Sequence, residues 1–257
     1  SSTPARKCRS LSVARAQTRW GSATNAQLHA QWMHSLTNPA PLSGAATLLC
    51  ARPTNQWACA RELRLNARLA MPINNSPPRA EESWAGWARL EPYALDWDFH
   101  LAALQSAELA ADEVTGGGQW RAPALTITNL QATLAQRPLS ARGDLDVATR
   151  VMRVMFTSKV DPHQLSPLLA RNARGWLARY SWKRPPDLAG EVSLVLPAWT
   201  NRHPDWRADV QPTLLLQADV NFARGLTCQG VSVSAAQSHI SYSNQVWRLP
   251  NLRVIRP

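Results

Sequence analysis

Lysine is nearly missing from this chain of 257 residues: Lys7, Lys159 and Lys183 are the only ones. Arginine therefore carries almost all of the positive charge, and Lys+Arg 28 against Asp+Glu 17 leaves a formal net charge of +11. Such an excess points first to anionic partners, nucleic acid or phosphate-bearing lipid. The arginines do not cluster, however. They stand singly at spaced positions, as in Arg61, Arg64, Arg68 and in Arg248, Arg253, Arg256. A solvated strand face accounts for that spacing better than a nucleic-acid stripe does, and no nucleic-acid partner is expected.

Long apolar runs are also lacking. Nothing approaches the ~20 apolar residues of a membrane-spanning helix, and no charged-then-apolar leader opens the chain. The opening Ser-Ser-Thr and a last residue just past a repeated element read as cuts, so an anchor would lie elsewhere in a longer parent chain. Cysteine is scarce as well, and the 4 present do not make a disulfide scaffold. Cys50 and Cys59 flank Pro53-Thr-Asn-Gln56, and a turn centred there sets them opposite each other. A disulfide is open to them if that pair falls at a non-hydrogen-bonded site. With one such pair, zinc has little support.

Catalytic signatures are missing too. There is no phosphate-binding loop, because Gly116-Gly-Gly118 lacks the Lys-Ser/Thr that would follow and reads as a turn. There is no Gly-x-Ser-x-Gly elbow and no His-Glu-x-x-His. His29, His34, His100, His163, His203 and His239 show no metal-ligand spacing, and Asp144 with Asp146 reads as a surface ion-pair arrangement. The expectation is a non-enzyme without catalytic residues, metal or cofactor.

What is present is repetition. Cys8-Arg-Ser-Leu-Ser-Val-Ala-Arg-Ala-Gln-Thr18 reappears as Cys228-Gln-Gly-Val-Ser-Val-Ser-Ala-Ala-Gln-Ser238, which favours Cys8 and Cys228 as small buried fillers. Trp120-Arg-Ala-Pro-Ala-Leu-Thr-Ile127 matches Trp247-Arg-Leu-Pro-Asn-Leu-Arg-Val254, with a weaker echo at Trp57, so these tryptophans are expected to open strands. Chance similarity in an Ala/Arg-rich chain competes with this, but the shared Trp-Arg-x-Pro-x-Leu spacing argues against it. Repeats of this kind imply a stacked architecture.

Strict alternation runs through most of the chain. Leu63, Leu65, Ala67 and Leu69 oppose Arg64, Asn66 and Arg68; Leu214, Leu216, Ala218, Val220 and Phe222 oppose Gln217, Asp219 and Asn221. Period two with one apolar face marks a sheet buried on one side. After Leu125 and Ile127, the run Leu130, Ala132, Leu134 slips by one at Asn129, which predicts a β-bulge. Turn chemistry falls at 38–41, 72–78, 116–118, 141–144 and Ser243-Asn244. One segment departs from the pattern. Asp161-Pro162-His163-Gln164 has a helix-start signature, and Leu168, Leu169, Trp176, Leu177 and Tyr180 suit a short amphipathic helix. The expected organisation is a repetitive β array over 1–160, a helical interruption over 161–183 and a continuing β array over 184–257.

Three stretches together resemble the AsmA-like superfamily of bacterial envelope proteins, the group that includes TamB. They are Arg142-Gly-Asp-Leu-Asp-Val-Ala-Thr-Arg150, Ser158-Lys-Val-Asp-Pro-His-Gln-Leu-Ser-Pro-Leu-Leu169, and Gly230-Val-Ser-Val-Ser continuing from Ile240 to Pro257. The likeness covers most of 100–257, and the insertion at 72–83 departs from it. It implies an all-β fold: a long, curved, mainly antiparallel repeat sheet folded into an open, taco-like groove with one short helical interruption. It further implies an inner-membrane-anchored protein with this part in the periplasm, and a phospholipid or other acyl lipid as the partner moved toward the outer membrane. Parity alone places Leu63, Leu65, Leu69, Leu125, Ile127, Leu214, Leu216, Val220, Phe222, Val231, Val233, Leu252 and Val254 on one common face, with Arg64, Arg68 and Arg253 on the other. That the common face is an open lipid trough follows only from the resemblance. A closed structural or adhesive β-solenoid and a basic nucleic-acid-binding module are the competing readings.

Overall fold

The structure, a computed structural model, describes residues 4–18, 21–35, 41–55, 57–70, 85–106, 109–168, 171–201 and 203–255. Its strands are β1 (Pro4–Thr18), β2 (Gly21–Ser35), β3 (Pro41–Thr54), β4 (Ala58–Cys59), β5 (Glu62–Ala70), β6 (Ala94–Ser106), β7 (Ala110–Arg121), β8 (Ala124–Leu134) and β9 (Arg137–Asp146). There follow β10 (Val151–Ser158), β11 (Tyr180–Ser181), β12 (Asp187–Val195), β13 (Leu215–Phe222), β14 (Leu226–Cys228), β15 (Val231–Val233), β16 (Ala235–Ser243), β17 (Val246–Arg248) and β18 (Arg253–Ile255). Fifteen of them form one sheet, and β11, β14 and β15 form a small second one. Every pairing is antiparallel, and almost every long strand lies beside its neighbour in sequence, so the chain is mostly a β-meander. At ~4.8 Å per step the path from β1 to β17 is about 58 Å wide.

β4 and β5 are two parts of one strand. On β3 the partners Ala51↔Glu62 and Thr54↔Cys59 share one register, as do Ala102↔Glu62 and Gln105↔Cys59 on β6. The amide of Arg52 bonds to the carbonyl of Arg61 at 2.9 Å and that of Arg61 to Ala102 at 2.8 Å, so the ladder is continuous between them. The circuit β3–β4–β6–β5 is therefore an interruption within one continuous ladder rather than a separate barrel. Asn25, Arg52 and Ala103, all at φ near +50 (49, 48 and 51), mark the same band across β2, β3 and β6. Backbone kinks aligned in this way crease a sheet across its strands.

The expected bulge is present, with register shifts at Gly117/Gly118 and Ile127/Leu130 on either side of β8. It re-phases the strand, so that Leu125 and Ile127 before it and Leu130 and Ala132 after it keep one side. The Ser243-Asn244 turn is present as well, with Asn244 and Gln245 both at positive φ. The turns expected at 116–118 and 141–144 are not turns. Gly116-Gly-Gly118 lies within β7 and 141–144 within β9; the neighbouring hairpin turns instead at Ala135-Gln136. The reason lies on β6. Register sets Phe99 beside Gly116 and Trp97 beside Gly118, and both rings lie over the bare backbone that the glycines leave. Of the turn expected at 38–41 only Pro41 is described, as the first residue of β3, and the turn at 72–78 and the 72–83 insertion lie outside the described residues.

The helical interruption falls where expected, as a 3-10 helix over Pro162–Leu168 and a short helix α1 (Arg171–Leu177). Asp161 accepts the His163 amide at 3.0 Å, the contact its start signature implies. Tyr180 does not continue the helix: it starts β11 and packs its ring on Trp176 at 4.7 Å. The interruption is also not the sole helical piece. A 3-10 turn covers Ala85–Arg89, and two further turns follow at Trp206–Val210, capped by Asp205, and at Gln211–Thr213.

The glycines of β7 give a direct stability test. A Cβ on Gly118 would run into the Thr126 carbonyl and lie 2.7 Å from the Trp97 ring, whereas one on Gly86 meets nothing within 4 Å. Gly118→Ala should cost roughly 1–3 kcal/mol by overpacking and Gly86→Ala should change little, as read from urea midpoints. Equal midpoints would show that Trp97 does not lie on β7.

Candidate functional site

Following the register from strand to strand assembles one continuous apolar face. One row runs Trp97, Gly118, Ile127, Gly143, Val154, Val192, Leu216 and Tyr242. The next runs Phe99, Gly116, Leu130, Ala141, Phe156, Gly190, Ala218 and Ile240. Ala218 and Tyr242 of these rows are buried, but neither row belongs to the two packed clusters, which lie at the opposite ends of the strands. At one end Trp120 and Val147 are sealed by Trp87, Leu90 and Trp199. Trp87 stacks on Trp120 at 5.4 Å, and the Trp120 and Trp199 indole N–H groups donate to Leu90 at 2.7 Å and Val147 at 2.8 Å. At the other end Ala111, Leu134 and Val160 are sealed by Leu104, Leu139 and Leu165. Between these two clusters most of the central rows are only half-buried.

The same face continues onto β5, β3, β2 and β1. Leu65, Leu48, Leu28 and Leu11 form one row, and Ala67, Ala46 and Ala30 the next. Here neither core cluster contributes a residue, and Leu11, Leu28 and Leu42 are exposed. A hollow of about 390 Å³ opens over it, lined by Ala30, Trp32, Gly44, Ala46, Ala67 and Leu69. That volume lies within the range of small-molecule sites. Its lining is small because alanines and a glycine occupy three neighbouring strands.

Of the residues expected on the common face, Leu63, Leu65, Leu69, Leu125, Ile127, Leu216, Val220, Phe222 and Val254 share it by register. Arg64, Arg68 and Arg253 take the opposite parity and are exposed. Leu214 precedes β13, at the end of the Gln211–Thr213 turn, where Thr213 Oγ1 accepts the Val195 amide at 2.9 Å, so no strand register places it. Three expectations fail. Val231 and Val233 leave the main sheet, because the Gln229-Gly230 turn, with both residues at positive φ, folds them into a local hairpin on β14. Leu252 follows the Pro250-Asn251 turn and stands 58% exposed outside any strand.

The repeats also differ in space from their expected equivalence. Residues 8–18 lie within the single edge strand β1, whereas 228–238 cross a turn, β15 and the start of β16. Cys8 is exposed and not a buried filler. The two Trp-Arg-x-Pro elements are both strand–turn–strand, but Trp120 is the penultimate residue of β7, Trp247 sits inside β17, and Trp57 stands outside β4, so none opens a strand. Sequence reading missed Trp97, Phe99, Ala30, Trp32 and Ala46, the centre of the apolar face and its extension. The alternation of Leu95, Trp97, Phe99 and Leu101 against Asp96, Asp98 and His100 was the signal available for the first two.

The other face is a lattice of polar cross-strand pairs. Arg121 meets Asp96 at 2.7 Å, Asn66 donates to Asp98 at 2.6 Å, His100 meets Glu113 at 3.0 Å, and His239 meets Asp219 at 2.9 Å. This face is hollowed too, by depressions of about 840 and 560 Å³ over β8 to β16 that share Ser140, Thr157, Ala189, Asp219 and His239. Concavity is thus not confined to the apolar side. Among the described residues no group of three or more His, Cys, Asp or Glu side chains could hold a metal ion, and no helix is long and apolar enough to cross a membrane. No protein-family model, curated protein or solved structure matches the chain.

The Cys50–Cys59 disulfide does not form, and both thiols are free. The hairpin turns two residues later than expected, pairing Cys50 with Leu63 and Cys59 with Thr54. The two cysteines are therefore about four residues, roughly 13 Å, apart along the ladder, beyond the reach of a bridge. Asn55 sets that later turn, its side chain accepting the amides of Trp57 at 2.8 Å and Ala58 at 2.7 Å. Cys50 is buried, and burial pushes its thiol pKa up, while Cys59 and Cys8 are exposed. Iodoacetamide should therefore modify Cys8 and Cys59 well before Cys50, and reduction should leave the intact mass unchanged. A gain of two hydrogens on reduction would contradict this register.

Proposed function

We propose that this chain is a lipid-carrying segment of a bacterial envelope protein, built like the AsmA-like proteins its sequence resembles. Its apolar face takes the acyl chains of phospholipid or a related lipid. In this reading the segment stands in the periplasm, tethered to the inner membrane through a part of the parent protein, and hands lipid toward the outer membrane. It acts as a binding surface and not as an enzyme. The observation that carries the reading is the unbroken apolar face, bounded by two packed clusters over β6 to β10 and uncovered among the described residues over β1 to β5.

The physical case is simple. An acyl chain loses about 0.8 kcal/mol of favourable burial for each CH₂ returned to water. A floor that stays apolar from strand to strand lets the chain shift along the sheet without that loss. Glycines at 116 and 118 let the Phe99 and Trp97 rings lie low against the sheet, and Gly143 and Gly190 add no side chain beside Val154 and Ala218. A closed solenoid would instead seal this face with side chains along its whole length. The half-buried rows between the clusters and the hollow over β3 weigh against sealing.

Two arginine substitutions separate an open trough from a sealed core. Ala46→Arg lies on the uncovered face and Leu125→Arg within the Trp120 cluster. The first should keep the urea midpoint within about 0.5 kcal/mol of wild type and abolish capture of a photo-crosslinkable phospholipid. The second should bury an unpaired charge and cost several kcal/mol. If Ala46→Arg unfolds the protein, or the wild type captures no lipid, the conduit reading is wrong.

A further inference from the structure

Resting on that acyl-binding reading, the geometry points to an anionic amphiphile as the ligand of the β1–β5 face, with its headgroup held at the β1 edge by Lys7 and Arg9. In β1 the basic residues divide between the two faces. Arg6 lies on the polar side and bonds to Gln31. Lys7 and Arg9 take the opposite parity, that of Leu11 and Val13, and so stand on the apolar face. Register puts Lys7 directly opposite Trp32 and Arg9 directly opposite Ala30. Both partners line the hollow that continues through Gly44, Ala46, Ala67 and Leu69.

Opposed side chains on neighbouring strands approach within about 5 Å at Cβ. The two cations therefore stand at the rim of the hollow, one strand out from its floor. They are exposed, and no described residue gives either of them a hydrogen bond or an ion pair. No carboxylate competes for them nearby in sequence, because the first acidic residue of the whole chain is Glu62. On β6, by contrast, Asp96 and Asp98 are bonded to Arg121 and Asn66 on the opposite face.

The chemistry that satisfies both parts is a hydrocarbon tail with an anionic head. The tail lies across β2, β3 and β5 on the small side chains. The phosphate or carboxylate at its end reaches Lys7 and the Arg9 guanidinium, which can grip two oxygens at once. A second copy of the chain fits the site poorly, because its own uncovered face carries the same two cations and like charges would meet. A neutral lipid would satisfy the hollow and leave the cations idle.

The test uses two photoreactive probes on one diazirine acyl chain, the free fatty acid and its neutral glycerol monoester, with cross-linked peptides located by mass spectrometry. Wild type should capture the anionic probe on peptides of β2, β3 and β5 and prefer it to the neutral one, with the preference weakening at high salt. Lys7→Gln with Arg9→Gln should lower capture of the anion roughly tenfold and leave the neutral ester and the melting curve unchanged. Exchanging the two as Lys7→Arg with Arg9→Lys should keep most of the anion preference. Equal capture of both probes by wild type on these peptides overturns the headgroup assignment while the acyl trough stands. Capture of the anion elsewhere, or cross-links joining two protein copies through this face, also overturns it. Capture of neither probe defeats the trough reading itself.

Discussion

One-sided burial is the constraint on which this structure depends. Among the described residues the only other sheet is the small one of β11, β14 and β15, so along most of a meander of thirteen strand positions each strand must present its apolar parity to the same side. A slip of one residue anywhere would turn a row of leucines into water and bring arginines in. The bulge at Thr128-Asn129 shows how the constraint is kept. The apolar residues of β8 change parity at that point, and the extra residue rotates the strand so that Leu130 rejoins the side of Ile127. Without the bulge, half of β8 would face the wrong way.

Given that parity, the height of the apolar surface is set by residue size. Trp97 and Phe99 lie flat on β7 because Gly118 and Gly116 carry no side chain there. Gly143 and Gly190 repeat the arrangement beside Val154 and Ala218. The excursions out of the sheet then close its two ends: 85–90 and Trp199 over Trp120, Val160 and Leu165 over Leu134. The result is a face buried at its two ends and mostly half-buried along its middle. On the reading proposed above, the clusters at the two ends guide an acyl chain while the middle and the β1–β5 extension receive it.

The polar side follows the same logic with opposite chemistry. Its cross-strand pairs, Asp96 with Arg121 and Asp219 with His239 among them, hold neighbouring strands with contacts that tolerate water. Exposed pairs of this kind contribute at most about 1 kcal/mol each. Their arrangement keeps the carboxylates on that face, which leaves the apolar side of β1 with uncompensated positive charge only.

Local sequence determined what depends on neighbours a few residues apart. The alternation of Leu63 to Leu69 and Leu216 to Phe222, the bulge near Asn129, the Ser243-Asn244 turn and the Asp161 helix start all lie within such a span, and dihedral preference and parity decide them. Tertiary structure alone decided whatever needed a partner strand. Gly116-Gly-Gly118 has turn composition, yet it is mid-strand because rings from β6 rest on it. Val231 and Val233 have strand alternation, yet they leave the main sheet because Gln229-Gly230 lets them pair locally with β14. Cys50 and Cys59 have hairpin spacing, yet they miss each other because Asn55 shifts the turn by two residues. Lys7 and Arg9 look like two more scattered cations until register sets them beside Trp32 and Ala30. Parity is written in each strand, but which strands lie together, and at what offset, is a long-range choice that no single strand encodes.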